Sequence, residues 1–274
     1  MSGPGVGIGW RPALARFVEE LPGLVDSGFS EVIAESLHHP HPALLELRDR
    51  GARIVPHGVR LSLGGADPVE PERVAHLAGC AELLGAPLVS EHVAFVRAGG
   101  MEVGHLLPVP RTREALDALV RNVRLTTAEL GVPLAVEPIA AFFDWPEDEY
   151  AEGDFLTELL DRTGALLLLD VANVYANARN RGQDPLKVLE SFPLDRIAYC
   201  HVAGGSEHDG YYHDTHTHAL RQEVLALVTE AEARSTAEAR LGYLLERDGR
   251  YPPAAELRAE LDAIADAAGL ARVT

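Results

Sequence analysis

Eight short apolar runs recur along this chain, and a longer segment with helical spacing separates each from the next. The runs are Gly5–Gly9, Glu31–Glu35, Ala52–His57, Pro87–His92, Val132–Glu137, Ala165–Val171, Ile197–Val202 and Leu241–Glu246. Several are apolar almost throughout, as in ALLLLDV and PLAVE. A strand reads this way when both its faces are covered, which is the condition of a parallel sheet. Segments between them, such as Glu70–Leu84, Arg111–Leu130 and Tyr251–Ala268, place apolar residues three and four apart, the period of one helix face. Eight strand–helix alternations with no long linker predict a closed α/β fold, the (β/α)8 TIM barrel, as a single domain over 1–274. Such a barrel takes about 250 residues. An open doubly wound sheet is the alternative, but the first strand carries GVGIGWRP rather than a dinucleotide fingerprint.

Composition narrows the partners. A formal net charge of −18 repels phosphate backbones, so no nucleic acid is expected as a partner. The two cysteines, Cys80 and Cys200, are too few for a disulfide framework, and a reducing, cytoplasmic location is the natural reading. The stretch MSGPGVGIGWRPAL lacks the charged and apolar regions of a signal peptide. No run approaches the roughly 18 apolar residues of a membrane span, so no membrane partner is expected.

Six successive strands end in a group able to bind metal: His57, His92, Glu137, Asp170, His201 and Glu246. They stand 35, 45, 33, 31 and 45 residues apart, about one βα unit each, so barrel closure would gather them into one ring. Singly, a strand-end His is more often a hydrogen-bonded structural group, and a strand-end Asp or Glu a helix cap. Six in register point elsewhere: opposed buried carboxylates repel unless cations lie between them. The loop Ala203–His218 adds Asp214 and His216, two apart and able to face one way when extended. Gly204 and Gly205 are expected to allow unusual backbone angles there, so that the loop gates the site. His213 and His218 read as solvated loop residues, and Trp145, Tyr211 and Tyr212 as packing. Glu31, Glu35 and His38 also lie near the rim, where capping, substrate contact and ligation all remain open. Cys200 points away from His201 and reads as a small buried residue. Imidazole and carboxylate without thiolate suit iron, manganese or zinc, and eight candidates exceed one coordination shell.

These residues lie in a series of longer motifs: PHGVRLSLGG, VSEHVAF, LLPVPRTREAL, PLAVEPIA, DFLTELLDRTGALLLLDVANVYANARNRGQDP, AYCHVAGG and DTHTHAL. Through them, from GVGIGWRP to LLERDG, the chain resembles the multinuclear non-heme iron-dependent oxidases, the MbnB/TglH-like family. The resemblance implies a barrel binding two or three ions as Fe(II)/Fe(III), with dioxygen as co-substrate. It implies His57, His92, Glu137, Asp170, His201, Asp214, His216 and Glu246 as ligands. Glu137, Asp170 and His201 stand at the catalytic centre, and Glu35 and Asn173 lie beside the substrate or behind the ligands. The implied substrate is a peptide or a small amino-acid-like molecule, in the biosynthesis of a ribosomally made natural product, with a separate peptide-recognition protein as partner. Two departures mark a divergent branch: Pro138 follows Glu137 where the family commonly has Asn, and Ala172 replaces the first of two Asn while Asn173 keeps the second. The competing class is a divalent-metal sugar isomerase, epimerase or hydrolase of the xylose-isomerase-like barrel type. A non-catalytic metal-binding protein is the third.

Overall fold

The computed structural model describes residues 5–235 and 241–274. Met1–Pro4, the start of the stretch read above as no signal peptide, lie outside the described residues. The eight expected strands are β1 (Val6–Trp10), β2 (Phe29–Ile33), β3 (Ile54–Gly58), β4 (Val89–His92), β5 (Leu134–Glu137), β6 (Leu166–Asp170), β7 (Ile197–Val202) and β8 (Tyr243–Leu245). They form one closed barrel in chain order, with β8 paired to β1 and every pair parallel. The helices include Pro71–Leu84, Arg113–Glu129 and Ala254–Ala268, close to the segments whose spacing predicts them. Among the described residues no helix is long and apolar enough to cross a membrane.

The barrel has two apolar layers. The larger packs the outer strand faces against the helices. The smaller takes Phe29, Val55, Leu88, Ala135, Leu168, Tyr199 and Leu244, all buried, one from each strand β2 to β8 or its leading edge. Alternate residues of a strand share a face. Two positions further on, the same face of these strands therefore carries Glu31, His57, Ser90, Glu137, Asp170, His201 and Glu246. An apolar plug fills the lumen, and a polar ring sits directly above it at the C-terminal rim.

Two features depart from the sequence reading. Strand β2 runs from Phe29 to Ile33 rather than Glu31 to Glu35, so Glu35 falls in a short 3-10 turn beyond the strand. Two antiparallel hairpins rise from the rim: Ala94–Ala98 with Met101–Pro108 after β4, and Ser206–His208 with Tyr211–His213 after β7. Their two-residue turns are Gly99-Gly100, with φ of 56° and 77°, and Asp209-Gly210, with φ of 51° and 83°. Positive φ at both central residues is what the favoured two-residue hairpin turn requires.

Candidate metal centre

The barrel brings all eight of the proposed ligands together. Donor atoms lie within 4.8 Å of one another in a run of overlapping groups: His57, His92 and Glu137; Glu137, Asp170 and His201; Asp170, Asp214 and His216; His216, Glu246 and Asp248; and Glu31, His57 and Glu246. Three carboxylates, Glu137, Asp170 and Glu246, each belong to two groups, as a bridging carboxylate would, and His57 and His216 are likewise common to two. Lateral pairing explains part of this: His92 lies opposite Glu137 in the sheet, and Asp170 opposite His201. Glu137 Oε2 is 3.5 Å from His57 Nε2 and 3.4 Å from His92 Nε2, and Glu137 Oε1 is 3.3 Å from His201 Nδ1. His201 Nδ1 is also 3.0 Å from Glu246 Oε2. His216 spans the other side, with Nε2 at 2.6 Å from Asp214 and 3.5 Å from Asp170, and Nδ1 at 3.1 Å from Glu246. His216 holds a left-handed backbone, φ 50°, which is uncommon for a residue with a Cβ and is kept only by a loop that fixes it.

The three strand imidazoles share one orientation. Each turns one nitrogen toward Glu137 and holds the other in a hydrogen bond: His57 Nδ1 with Ser90 Oγ at 2.8 Å, His92 Nδ1 with the Gly58 carbonyl at 3.2 Å, and His201 Nε2 with Glu31 Oε2 at 2.8 Å. Metal-binding histidines are characteristically anchored this way at the far nitrogen. The carboxylates are anchored too. Asp170 Oδ1 caps the helix Val171–Arg181, accepting from the backbone N–H of Ala172 at 2.6 Å and of Asn173 at 3.1 Å. Its other oxygen, Oδ2, is buried without a hydrogen-bond partner, so the carboxyl is both cap and free donor.

The electrostatics are unbalanced. Burial and the facing Asp214 carboxylate raise Asp170 to about 7. Burial alone would lower His92, but Glu137 and Glu91 beside it raise it to about 9. Burial likewise opposes the charge on His201, which Glu31, Glu246 and Glu137 nonetheless push well above the usual imidazole range. Burial would raise Glu246, yet His201 and His216 hold it well below the ordinary carboxylate value.

A cavity of about 310 Å³ opens above the ring, lined by His57, His92, Glu137, Asn173, Asp214, His216, Glu246 and Asp248 together with His105 and Leu106 of the first hairpin. Asn173 thus reaches the cavity, its side-chain amide donating to the Pro138 carbonyl at 3.2 Å. Glu35 is not among the lining residues: it lies behind the wall, Oε1 accepting from the Val59 N–H at 3.1 Å. His38 turns outward and stacks on His76 at 3.8 Å. Cys200 is fully buried and belongs to none of the donor groups. His218 bonds Thr215, while His213 lies against the exposed Phe142. Tyr212 is buried, Tyr211 half exposed, and the Trp145 indole N–H donates to the Pro108 carbonyl at 2.9 Å.

The glycine reading needs correction. Neither Gly204 nor Gly205 has positive φ. A Cβ at Gly204 would come within 2.2 Å of the His218 carbonyl oxygen, and one at Gly205 within 2.3 Å of that of His213. These glycines serve close packing, and Tyr212, bonded to both Gly205 and Asn180, pins the hairpin to the rim. Asp248 escaped the sequence reading, although it lies two residues beyond Glu246 with the same parity, while Arg247 between them turns out to pair with Glu260. Arg11 holds Asp248 at 2.6 Å.

The residues fit metal ions. Glu31 Oε1, Glu137 Oε2, Asp170 Oδ2, His201 Nδ1 and Asp214 Oδ1 are buried polar atoms without hydrogen-bond partners, all at this rim. Buried polar atoms are ordinarily paired; cations at this rim would satisfy the four that belong to Glu137, Asp170, His201 and Asp214.

The family described as RiPP precursor modification enzyme MbnB/TglH/ChrH matches residues 5–269. A UPF0276 protein of Streptomyces avermitilis is 52% identical over 269 residues, covering 95% of this chain but only 54% of its own length, so the chain spans about half of that relative. A UPF0276 protein of Caulobacter vibrioides is 36% identical over 263 residues, covering 94% of this chain and 92% of its own. Among solved structures, a xylose isomerase domain protein from Planctomyces limnophilus superposes with a TM-score of 0.59 at 14% identity, over 97% of this chain and 96% of that one, a likeness of fold alone. Matched across nearly its whole length, this chain belongs to the MbnB/TglH/ChrH family of RiPP precursor modification enzymes.

Proposed function

We propose that this chain is an iron- and dioxygen-dependent oxidase that modifies a peptide side chain or a small amino-acid-like molecule. In this reading residues 1–274 form one metalloenzyme domain. The observation that carries the proposal is the run of overlapping donor groups in which the carboxylates Glu137, Asp170 and Glu246 are shared. Such sharing suits two or three neighbouring ions rather than one. Family membership supports a peptide substrate, and the oxidase chemistry is what the resemblance to the multinuclear iron oxidases implies. His57, His92, Glu137, Asp170, His201, Asp214, His216 and Glu246 would hold the metal, and Asp248 joins them on the geometry. Iron held there would supply the Fe(II)/Fe(III) redox chemistry that reaction with dioxygen requires.

The protein's part is placement. At about 310 Å³ the cavity is at the small end of ligand pockets, suited to one side chain or an amino acid rather than a length of backbone. Asn173 is fixed in its wall, its backbone N–H donating to Asp170 and its side-chain amide to the Pro138 carbonyl. The apolar plug beneath closes the lumen to water. A separate recognition protein that delivers the peptide belongs to the same reading, as do a cytoplasmic setting and a precursor-peptide substrate.

The deciding experiment reconstitutes the protein anaerobically with Fe(II), counts ions by elemental analysis and Mössbauer spectroscopy, and follows dioxygen uptake with a candidate precursor peptide. More than one iron per chain and oxygen-dependent product are expected. A single tightly held zinc, or product formed equally fast without dioxygen or any other oxidant, overturns the reading.

A further inference from the structure

The imidazoles of the metal centre are oriented from behind, and one chain of buried groups joins two of them. His57 Nδ1 lies 2.8 Å from Ser90 Oγ, and Ser90 Oγ lies 2.8 Å from the Tyr199 hydroxyl. The Tyr199 hydroxyl donates to Glu31 Oε2 at 2.6 Å, and that same oxygen lies 2.8 Å from His201 Nε2. Every member is at most 3% exposed, so no solvent competes for these bonds. None of the intermediate groups faces the cavity.

Proton counting gives the chain a direction. An ionised carboxylate only accepts, and a hydroxyl has one proton to give. Tyr199 gives its proton to Glu31, so it must accept from Ser90. Ser90 has then spent its own proton, so it must accept from His57 Nδ1. At the other end Glu31 accepts from His201 Nε2. With both imidazoles neutral, as ligation requires, the lone pairs left are Nε2 of His57 and Nδ1 of His201. Those are the two nitrogens that face Glu137, at 3.5 Å and 3.3 Å.

We propose that Tyr199 is a positioning residue: with Ser90 and Glu31 it sets the tautomers of His57 and His201, so that one offers Nε2 and the other Nδ1 to the metal centre. The proposal rests on the metal reading of the site but not on the metal being iron or the reaction an oxidation. Glu31 anchors His201 directly. Tyr199 fixes His57 through Ser90, since without the phenol Ser90 can turn and donate to His57 Nδ1. Two ligands on the same rim thereby present opposite ring nitrogens.

The test uses the full chain loaded with Zn(II), which is diamagnetic, and reads the imidazole 15N shifts. In the wild type, His57 should show a protonated Nδ1 and a zinc-bound Nε2, and His201 the reverse. Either residue ligating through the other nitrogen overturns the proposal without any variant. Tyr199→Phe keeps the ring, which packs edge-on against Phe29 at 5.7 Å. It should mix the His57 tautomers, leave His201 unchanged, and weaken one zinc site roughly 10- to 100-fold, the usual range for losing such a partner. Ser90→Ala should do the same to His57 and serves if the first variant folds poorly. Unchanged 15N shifts and an unchanged zinc isotherm in either folded variant reject the role. A wild-type chain that takes up no zinc, cobalt or iron removes the metal reading itself, an outcome separate from an altered ligating nitrogen.

Discussion

Glu137 stands among three imidazoles, and Asp170 stands against a second carboxylate, and these two positions set the chemistry of the rim. Replacing Glu137 with Gln keeps the shape and removes the charge that both neighbouring donor groups share. Glu137→Gln is therefore expected to lose more than one ion per chain while circular dichroism stays that of the barrel; full metal content in the variant would refute the assignment. Protonation tells the same story. Asp170 moves from 3.8 to about 7 because burial and Asp214 disfavour its charge, and His92 moves from 6.5 to about 9 because Glu137 and Glu91 outweigh burial. For Asp170, the folded chain keeps a proton that the unfolded chain has lost, so its contribution to stability declines as pH rises from about 4 to about 7. For His92 the gain is complete below 6.5 and disappears as pH rises through about 9. From these two groups, the metal-free fold weakens with rising pH while its metal affinity grows. Ions binding near pH 6 must displace both protons. Calorimetry in buffers of different ionisation enthalpy should show that release; a binding heat independent of buffer would contradict it.

Elements carry these residues to the rim, and here the sequence was readable in some places and not in others. Six of the donors end apolar strands, and strand periodicity plus barrel closure places them without further information. The same alternation assigns Glu31 and Asp248 to the ring. Glu31 lies two residues after the lumen residue Phe29, and Asp248 two after Glu246. The sequence places Glu31 near the rim without separating it from Glu35 and His38, because an apolar run read from Glu31 to Glu35 puts both glutamates on one strand, whereas the strand ends at Ile33. The hairpins carry turn signals, Gly99-Gly100 and Asp209-Gly210, but short antiparallel pairs on a parallel barrel leave no long apolar run to prompt the search. The need for glycine at 204 has a tertiary cause, the approach of the His218 carbonyl, which no local sequence signal carries. Gly204→Ala should push that segment outward and weaken the ion bound by Asp214 and His216 more than those near Glu137. Equal loss of all ions would show that the segment has no separate role. Asp170 offers a second element-scale test. Asp170→Asn keeps the cap on Val171–Arg181, whereas Asp170→Ala removes it, so the Ala variant should be the less stable by about 1 kcal/mol in denaturant melts of metal-free protein. Equal stabilities would mean that the cap contributes nothing.

At the scale of the whole molecule, the ring sets carboxylates from β2, β5 and β6 and from the segments after β7 and β8 against few cationic partners, all enclosed by one barrel. Ions that bind only the folded chain stabilise it by mass action, about 2.7 kcal/mol for a site at a hundredfold excess over its Kd. For a chain of this length that corresponds to roughly 5–10 °C in Tm per site. Thermal melts should therefore shift upward stepwise with added Fe(II) or Zn(II) and fall back with chelator; a Tm indifferent to both would count against the centre. Closure itself has a consequence in time. Tyr199 and Glu31 are 168 residues apart, and His201 and Glu31 170 apart, so their bonds join strands from opposite ends of the chain. Contacts of such long range are the slow ones to form. A half-built barrel would hold some donors but never the complete set, so full metal uptake during refolding would serve as a clock for the moment the last strand docks on the first.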